Sequence, residues 1–482
     1  MMRKYLLIGV SAFVLGAGSM AYVNSRASAD TPHAESFKML ELFGNVLSTV
    51  ENQYVVPVDD KKLIESAIDG MLTSLDPHSG YLNHDDYADF LDQTRGEYSG
   101  LGIEVTSEDG AVKVISPTDD TPAARAGIQS GDFITAINDQ SVLGLPLADA
   151  VKKMRGPAGQ SVTLTIARSG KDPFDVKLTR EVINIITAKS HMEGDYGYLR
   201  ISQFGEKTTD EATAAIKSLQ AKDPKMKGLV LDLRNNPGGL LDQAVGVSSL
   251  FLSDGEVVSQ RGRDPKDIER YNAHAPYDML HGLPMVVLIN SGTASAAEIV
   301  TGALQDHKRA AVVGLISFGK GSVQTLIPLN NGADGALKLT TARYYTPSGR
   351  SIQKTGIQPD LEVAATYEQA QAVANEAFQF SEASFSNALN AQEGKTREPA
   401  HEPAEAPPAD FDAKKDFQLE RALDVLKYGS VAATPKLPAP KPKLASFLPP
   451  KGPGAVAPGQ TVTPAKPADM NPPEKQAAPA HP

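Results

Sequence analysis

Cysteine is absent from all 482 residues. A thiol nucleophile, thiolate metal sites, disulfide bridges and lipidation of an amino-terminal cysteine are therefore excluded. Compartment stays open on this point, because exported proteins can also lack cysteine. Positive charge is in deficit: 47 Lys and Arg face 58 Asp and Glu, a net charge of −11. That balance argues against a nucleic-acid backbone as the main partner. Internal repeats are also missing. What is present is a 41% hydrophobic content in a chain too long for one core. Two or more domains with tails are expected.

The amino terminus bears on compartment. Met1-Met2-Arg3-Lys4 is a short basic head, and no residue from Tyr5 to Val23 is charged. Ala27-Ser28-Ala29 then fits the small-x-small cleavage pattern, so residues 1–29 read as an export segment. The uncharged run is also near the length of a membrane span. A cleaved signal and a retained inner-membrane anchor both fit, with the body outside the inner membrane.

Residues 30–95 read as helical, and Leu63, Ile64, Ala67, Ile68, Met71, Leu72 and Leu75 form an apolar stripe of the core-facing kind. Residues 96–180 hold short β-rich runs separated by Glu108-Asp109-Gly110, Ser130-Gly131-Asp132 and Arg168-Ser169-Gly170-Lys171. Five or so strands with two short helices predict a small β-rich module. Residues 181–365 alternate strand and helix. Leu229-Val230-Leu231 and Val286-Val287-Leu288-Ile289 are continuously apolar, as strands buried on both faces are. Residues 366–393 read as a helical extension. Eighteen of the 34 prolines then fall in 399–482, so the tail 394–482 is expected to be largely disordered. One short amphipathic helix, 416–428, interrupts it and needs a surface to pack on, either the body or a second subunit.

The chemistry centres on two residues. Ser295 sits where an apolar strand gives way to a helix, in Ser291-Gly292-Thr293-Ala294-Ser295-Ala296-Ala297-Glu298. A serine is a poor nucleophile without a base, and helix amino-terminal amides beside it stabilise an oxyanion. A plain helix start of small residues is the bland alternative. His307 is a poor base for it, since 12 residues of helix put it roughly 18 Å away. His274 and His281 lie in an irregular stretch that spacing does not exclude. Lys320, in Ser317-Phe318-Gly319-Lys320-Gly321-Ser322, is the other candidate. Bringing a lysine from about 10.4 to about 7 takes roughly 4.6 kcal/mol, which desolvation can supply. The apolar run Val312–Phe318 offers the walls. A solvated loop lysine is the bland alternative.

Two further elements matter. Asp232-Leu233-Arg234-Asn235-Asn236-Pro237-Gly238-Gly239 follows a buried strand and precedes a helix. Its amides can face a developing negative charge, although a tight turn is equally compatible, and the phosphate-loop fingerprint is missing. In the β-rich module, Gly100, Leu101, Gly102 and Ile103 form a glycine loop before a strand, able to hold a peptide carboxylate.

Taken in order, these elements resemble the carboxyl-terminal processing peptidases, exported serine proteases with a PDZ domain. The likeness runs from about residue 36 to 365. It includes Leu75-Asp76-Pro77-His78-Ser79-Gly80-Tyr81-Leu82, Gly100–Ile103, Asn290–Asp306, Phe318–Gln324 and Tyr344-Tyr345-Thr346-Pro347-Ser348-Gly349-Arg350. The family often has serines where this chain has Thr293 and Ala297. The resemblance implies an α+β multidomain chain: amino-terminal helices, a PDZ-like β-sandwich module and a crotonase-like α/β protease domain. It implies Ser295 as nucleophile, Lys320 as general base and Gln324 as the residue that positions Lys320. The oxyanion hole would come from Ala296 and one of Gly238 or Gly239. No metal or other cofactor is called for. The expected partners are protein or peptide substrates held by their C-termini in the cell envelope, with no nucleic acid. A homo-oligomer or an adaptor protein is left open. The alternative function is a PDZ-type peptide-binding scaffold with an inactive protease domain. A β-lactamase-like Ser-x-x-Lys arrangement fails, because the third residue after Ser295 is Glu298.

Overall fold

The computed structural model describes residues 34–108, 110–118, 120–168, 170–264, 266–274, 278–374, 381–390, 404–408, 410–412 and 414–437. The export segment and the Pro-rich stretch beyond 437 lie outside them. Among the described residues, no helix is long and apolar enough to cross a membrane.

Helices Ala34–Gln53 and Asp60–Thr73 open the chain, the second capped by Asp59, which accepts the N–H of Lys62. The apolar stripe of this second helix differs from the expectation. Only Leu72 is buried, and Ile64, Met71 and Leu75 are exposed. The helix packs against the chain chiefly through the short strand Gly80–Leu82, so one edge of the stripe is covered and the rest faces outward.

The β-rich module has the strand order Ile103–Glu108, Ala111–Pro117, Phe133–Ile137, Ser161–Ala167, Phe174–Thr179, with Gln140–Ser141 added to the third. Neighbours are antiparallel throughout. Its core gathers alternate residues such as Val112 and Val114, Ile134, Val162, Leu164 and Ile166. This period-two burial is what a sheet with one covered face requires. Ile103–Glu108 is an edge strand. A two-stranded ribbon, Glu97–Gly100 with Glu181–Asn184, frames the entry to and exit from the module.

The larger α/β portion is built on a six-stranded sheet. Its order is Ala188–Glu193, Tyr196–Ile201, Leu229–Asp232, Met285–Ile289, Ala311–Gly314, Leu361–Glu362. The first pair is antiparallel and the others parallel. One face, with Leu229, Leu231, Val287 and Ile289, packs under helices Thr208–Lys222, Leu241–Ser249 and Ala296–Asp306. The other face carries Val230, Val286, Leu288 and Val313. It is covered by Phe417, Ala422, Val425 and Leu426 of helix Phe417–Tyr428. Both faces are dry, which explains the unbroken apolar runs. The late helix therefore docks on this chain's own body. A second sheet places Ala336–Tyr345 between Gly80–Leu82 and Glu256–Arg261, with Ser322–Pro328 also paired to it. It joins the amino-terminal segment to the strand that follows Lys320.

Among the described residues of 366–393, the expected helical extension is helical only in part. It holds helix Tyr367–Ala374 and one 3₁₀ turn, Glu382–Ser384. Part of the stretch expected to be disordered is packed: Arg421 pairs with buried Glu405 at 2.7 Å.

Candidate active site

The strand Met285–Ile289 delivers the chain to a turn that ends in helix Ala296–Asp306. Ser295 stands at the junction with φ 54° and ψ −118°. That conformation is costly for a residue with a side chain and persists only where its surroundings over-determine it. They do so here. Ala294 N–H donates to the Asn236 carbonyl at 2.9 Å, and Phe318 N–H to the Thr293 carbonyl at 2.9 Å. Thr293 Oγ1 donates to the Leu233 carbonyl at 2.8 Å. Asn290 Oδ1 accepts from Asn235 N–H and Gly292 N–H. The turn is thus stitched to the 232–239 loop on one side and to the 317–321 turn on the other.

Glu298 is the hub. Its side chain is fully buried (0% exposed) and accepts four hydrogen bonds. Oε2 takes the N–H of Ser295 at 2.8 Å and of Lys320 at 2.9 Å. Oε1 takes the N–H of Gly319 at 2.7 Å and the hydroxyl of Ser317 at 2.5 Å. By the lengths of the two bonds to Oε2, the main chains of Ser295 and Lys320 lie within about 6 Å of each other. Burial pushes the Glu298 carboxyl up to about 7, against the hydrogen bonds that pull it down. Three of its four donors are backbone amides that cannot accept a proton, so the arrangement suits the ionised form.

Lys320 is half-buried, and its amine makes no hydrogen bond or ion pair to a described residue. Burial holds the amine below the ordinary lysine value, and the like charge of Lys338 adds to this. Glu382, Glu298 and Asp76 act in the opposite direction. Gln324 Nε2 donates to Ser322 Oγ at 3.0 Å and Thr340 Oγ1 at 3.2 Å, and makes no hydrogen bond to the Lys320 amine. Thr340 Oγ1 in turn donates to Asp76 Oδ1 at 3.1 Å.

The two glycines of the 232–239 loop differ. A Cβ on Gly238 would fall 2.8 Å from Ser295 Cβ and 2.9 Å from Ala296 N, so only glycine lets the loop approach the serine. Its N–H is already donated to Asn236 Oδ1 at 2.9 Å. The N–H groups of Gly239 and Ala296 have no acceptor among described residues. Arg234 anchors the same loop. Its guanidinium bridges buried Asp232 and Asp416, the N-cap of helix Phe417–Tyr428.

In the β-rich module, the Gly100–Ile103 loop is shaped from outside. Leu101 accepts from Ala123 N–H and Gly102 from Thr118 N–H. The N–H groups of Leu101 and Gly102 have no acceptor among described residues. His307 is no base for Ser295: it caps the far end of the helix and donates Nε2–H to the Glu256 carbonyl at 2.7 Å.

Sequence reasoning missed Glu298 as a hub and left Asp76 as a motif without a role. The first had a signal, the Ser-x-x-Glu spacing of a capping box.

Residues 195–363 match Peptidase family S41, residues 113–168 a PDZ domain, and residues 12–86 the Activating protease CtpB N-terminal domain. The chain is 53% identical over 368 residues to a carboxy-terminal-processing protease of Bartonella bacilliformis, covering 75% of this chain and 83% of that one. It is 37% identical to a probable CtpA-like serine protease of Staphylococcus epidermidis, covering 66% and 64%. Among solved structures it is similar to a photosystem II D1 C-terminal processing protease, at 30% identity and a TM-score of 0.41, covering 67% and 92%.

Proposed function

Because the chain belongs to the carboxy-terminal processing proteases of peptidase family S41, we propose that this serine peptidase is an ATP-independent endopeptidase with Ser295 as nucleophile and Lys320 as general base. The observation that carries the reading is the Glu298 carboxylate. It gathers the main chains of both residues onto one oxygen and leaves the Lys320 amine without a partner. A desolvated amine is more often neutral, and a neutral amine can take a proton.

The steps follow from the groups in place. The Lys320 amine takes the Ser295 hydroxyl proton as Oγ attacks the substrate carbonyl. The oxyanion is received by the free N–H groups of Ala296 and Gly239, with Gly238 holding the loop against the serine. The Lys320 ammonium returns the proton to the departing amine, leaving an acyl-Ser295 ester. Water then attacks the ester, again with Lys320 as base. Gln324, through Thr340 and Asp76, steadies the wall beside the amine.

The PDZ loop is read as the site for a substrate C-terminus. Two open amides at Leu101 and Gly102 suit a carboxylate, and the adjoining edge strand Ile103–Glu108 can pair with a peptide backbone. The mostly parallel sheet with helices on both faces accords with a crotonase-like protease portion. Residues 1–29 are read as directing the chain to the cell envelope. The intact Ser295, Lys320 and Glu298 arrangement argues against an inactive scaffold.

The test is cleavage of an unstructured polypeptide by the purified full chain without ATP. Ser295→Ala and Lys320→Ala should each abolish it. Undiminished cleavage by either variant would overturn the assignment.

A further inference from the structure

Of the run Asp76-Pro77-His78-Ser79, the mechanism above uses Asp76 and leaves His78 without a task. The structure sets it beside the Lys320 turn and joins it to a residue about 300 positions downstream. His78 Nε2 lies 2.8 Å from Glu382 Oε2. Glu382 is fully buried, at 0% exposure, and opens the 3₁₀ turn Glu382–Ser384.

Glu382 grips the Lys320 turn in two ways. Its main-chain N–H donates to the Phe318 carbonyl at 3.0 Å. Its Oε1 accepts from Gln353 Nε2 at 2.8 Å, and Gln353 Oε1 accepts the N–H of Gly321 at 3.0 Å. Phe318 and Gly321 bracket Lys320, so both flanks of the turn are tied to one residue, the first by its main chain and the second by its carboxylate through Gln353. Gly321 is required for this approach: a Cβ there would fall 2.4 Å from Gln353 N. Around the pair the wall is aromatic. Phe385 meets the rings of His78 and Phe318 edge-on, at centroid distances of 6.1 and 6.4 Å. A carboxylate is costly to bury, and each oxygen of this one has a hydrogen-bond partner, Oε2 in His78 and Oε1 in Gln353, which leads to the Lys320 turn.

Resting on the Ser-Lys reading above, we propose that Glu382 is a positioning residue for Lys320. Clasped by His78 and Gln353, it fixes the turn that presents the amine, while its charge opposes loss of the amine's proton. The charged groups facing that amine come from four separate parts of the chain: Lys338, Glu298, Asp76 and Glu382. Lys338 favours the neutral amine, and the three carboxylates favour the ammonium form. Removing the Glu382 charge therefore makes deprotonation easier.

The experiment is the pH dependence of kcat and KM for cleavage of an unstructured polypeptide by the full chain. Wild type, Glu382→Gln, Glu382→Ala, His78→Gln and Lys320→Ala are compared, with melting curves for each. Glutamine can still accept the bond from Gln353 but carries no charge. Its acid limb in kcat/KM should move to lower pH by about one unit. Alanine keeps the main-chain bond to Phe318 but drops the side-chain tether through Gln353, and kcat should fall about tenfold or more with KM within about twofold. A purely structural residue would lower the melting temperature and the plateau without moving the limb. Should the alanine variant fail to fold, the glutamine limb still decides. Loss of cleavage in Lys320→Ala together with an unmoved limb in Glu382→Gln overturns this inference alone. Cleavage that survives Lys320→Ala overturns the Ser-Lys reading, and the role of Glu382 with it.

Discussion

The main-chain amides of Ser295 and Lys320 share a single acceptor, Oε2 of Glu298. The two residues are 25 positions apart and belong to different turns, one entering a helix and one preceding a strand. A common carboxylate makes their separation a property of one buried side chain rather than of two independent loops. The same carboxylate supports the positive φ of Ser295, which the helix start alone would not hold.

Glu298→Gln tests this directly. An amide places an N–H₂ group where an acceptor is needed, so at least one of the four donors loses its partner. The turns of Ser295 and Lys320 should drift apart, and kcat should fall about a hundredfold, since small misplacements are that costly. KM should change little. Steady-state kinetics on an unstructured polypeptide gives both numbers. A kcat within about threefold of wild type would remove Glu298 from the site.

The PDZ loop makes a separate prediction. Gly102 has φ +74°, and a Cβ there would lie 2.3 Å from Thr121 Cβ. Gly102→Ala must shift the loop and turn its open amides. Affinity for a peptide with a free C-terminus should fall about tenfold, the loss of roughly one charge-assisted hydrogen bond. Fluorescence anisotropy with a labelled peptide measures it. Unaltered affinity would place the carboxylate elsewhere.

Much of this could be read from the sequence, and the reasons differ by element. Leu229–Leu231 and Val286–Ile289 announced buried parallel strands because both faces of that sheet are covered. The turns around Ser295 and Lys320 stood out because close backbone approach demands small residues and glycine. The hub did not stand out. Glu298 reads as an ordinary helix-start acid, and three of its four partners lie about twenty residues downstream, where only folding brings them near. Glu382 was hidden for a similar reason: it sits in a single 3₁₀ turn with no periodicity to mark it. Helix Phe417–Tyr428 was legible as amphipathic, but its choice of surface depends on a sheet face that topology alone leaves open.

That helix carries the third prediction. Phe417 is buried against Val230, Val286 and Leu288, and its N-cap Asp416 holds Arg234 of the 232–239 loop. Phe417→Ala should cost about 3–5 kcal/mol through the cavity it leaves. Asp416→Ala should cost less, about 1–2 kcal/mol, because its carboxylate is partly exposed. The second change should nevertheless lower kcat, since Arg234 then keeps only Gln418 of its two partners at the start of the helix. Chemical denaturation and kinetics on the same samples separate the effects. Full activity in Asp416→Ala would mean that the loop needs no such anchor.

Lys320 itself should be a burden on stability. Burial and Lys338 hold its amine below the ordinary value of 10.5. At a pH below the folded-state value, both folded and unfolded chains carry the proton, and the folded chain bears the full cost of a poorly solvated charge. Between the folded value and 10.5 the unfolded chain binds more protons than the folded one, so stability rises with pH. Lys320→Met removes the group and should stabilise the protein by about 1 kcal/mol near neutrality. The gain should shrink as pH approaches the ordinary lysine range. Activity moves the other way: in wild type, kcat/KM should rise through the same folded-state value, and in the methionine variant it should be lost at every pH. Urea denaturation of both proteins at pH 7 and pH 10 reads the difference. A methionine variant that is less stable than wild type at pH 7 would mean that the amine is paired rather than held bare, and its place as the base beside Ser295 would fall with that.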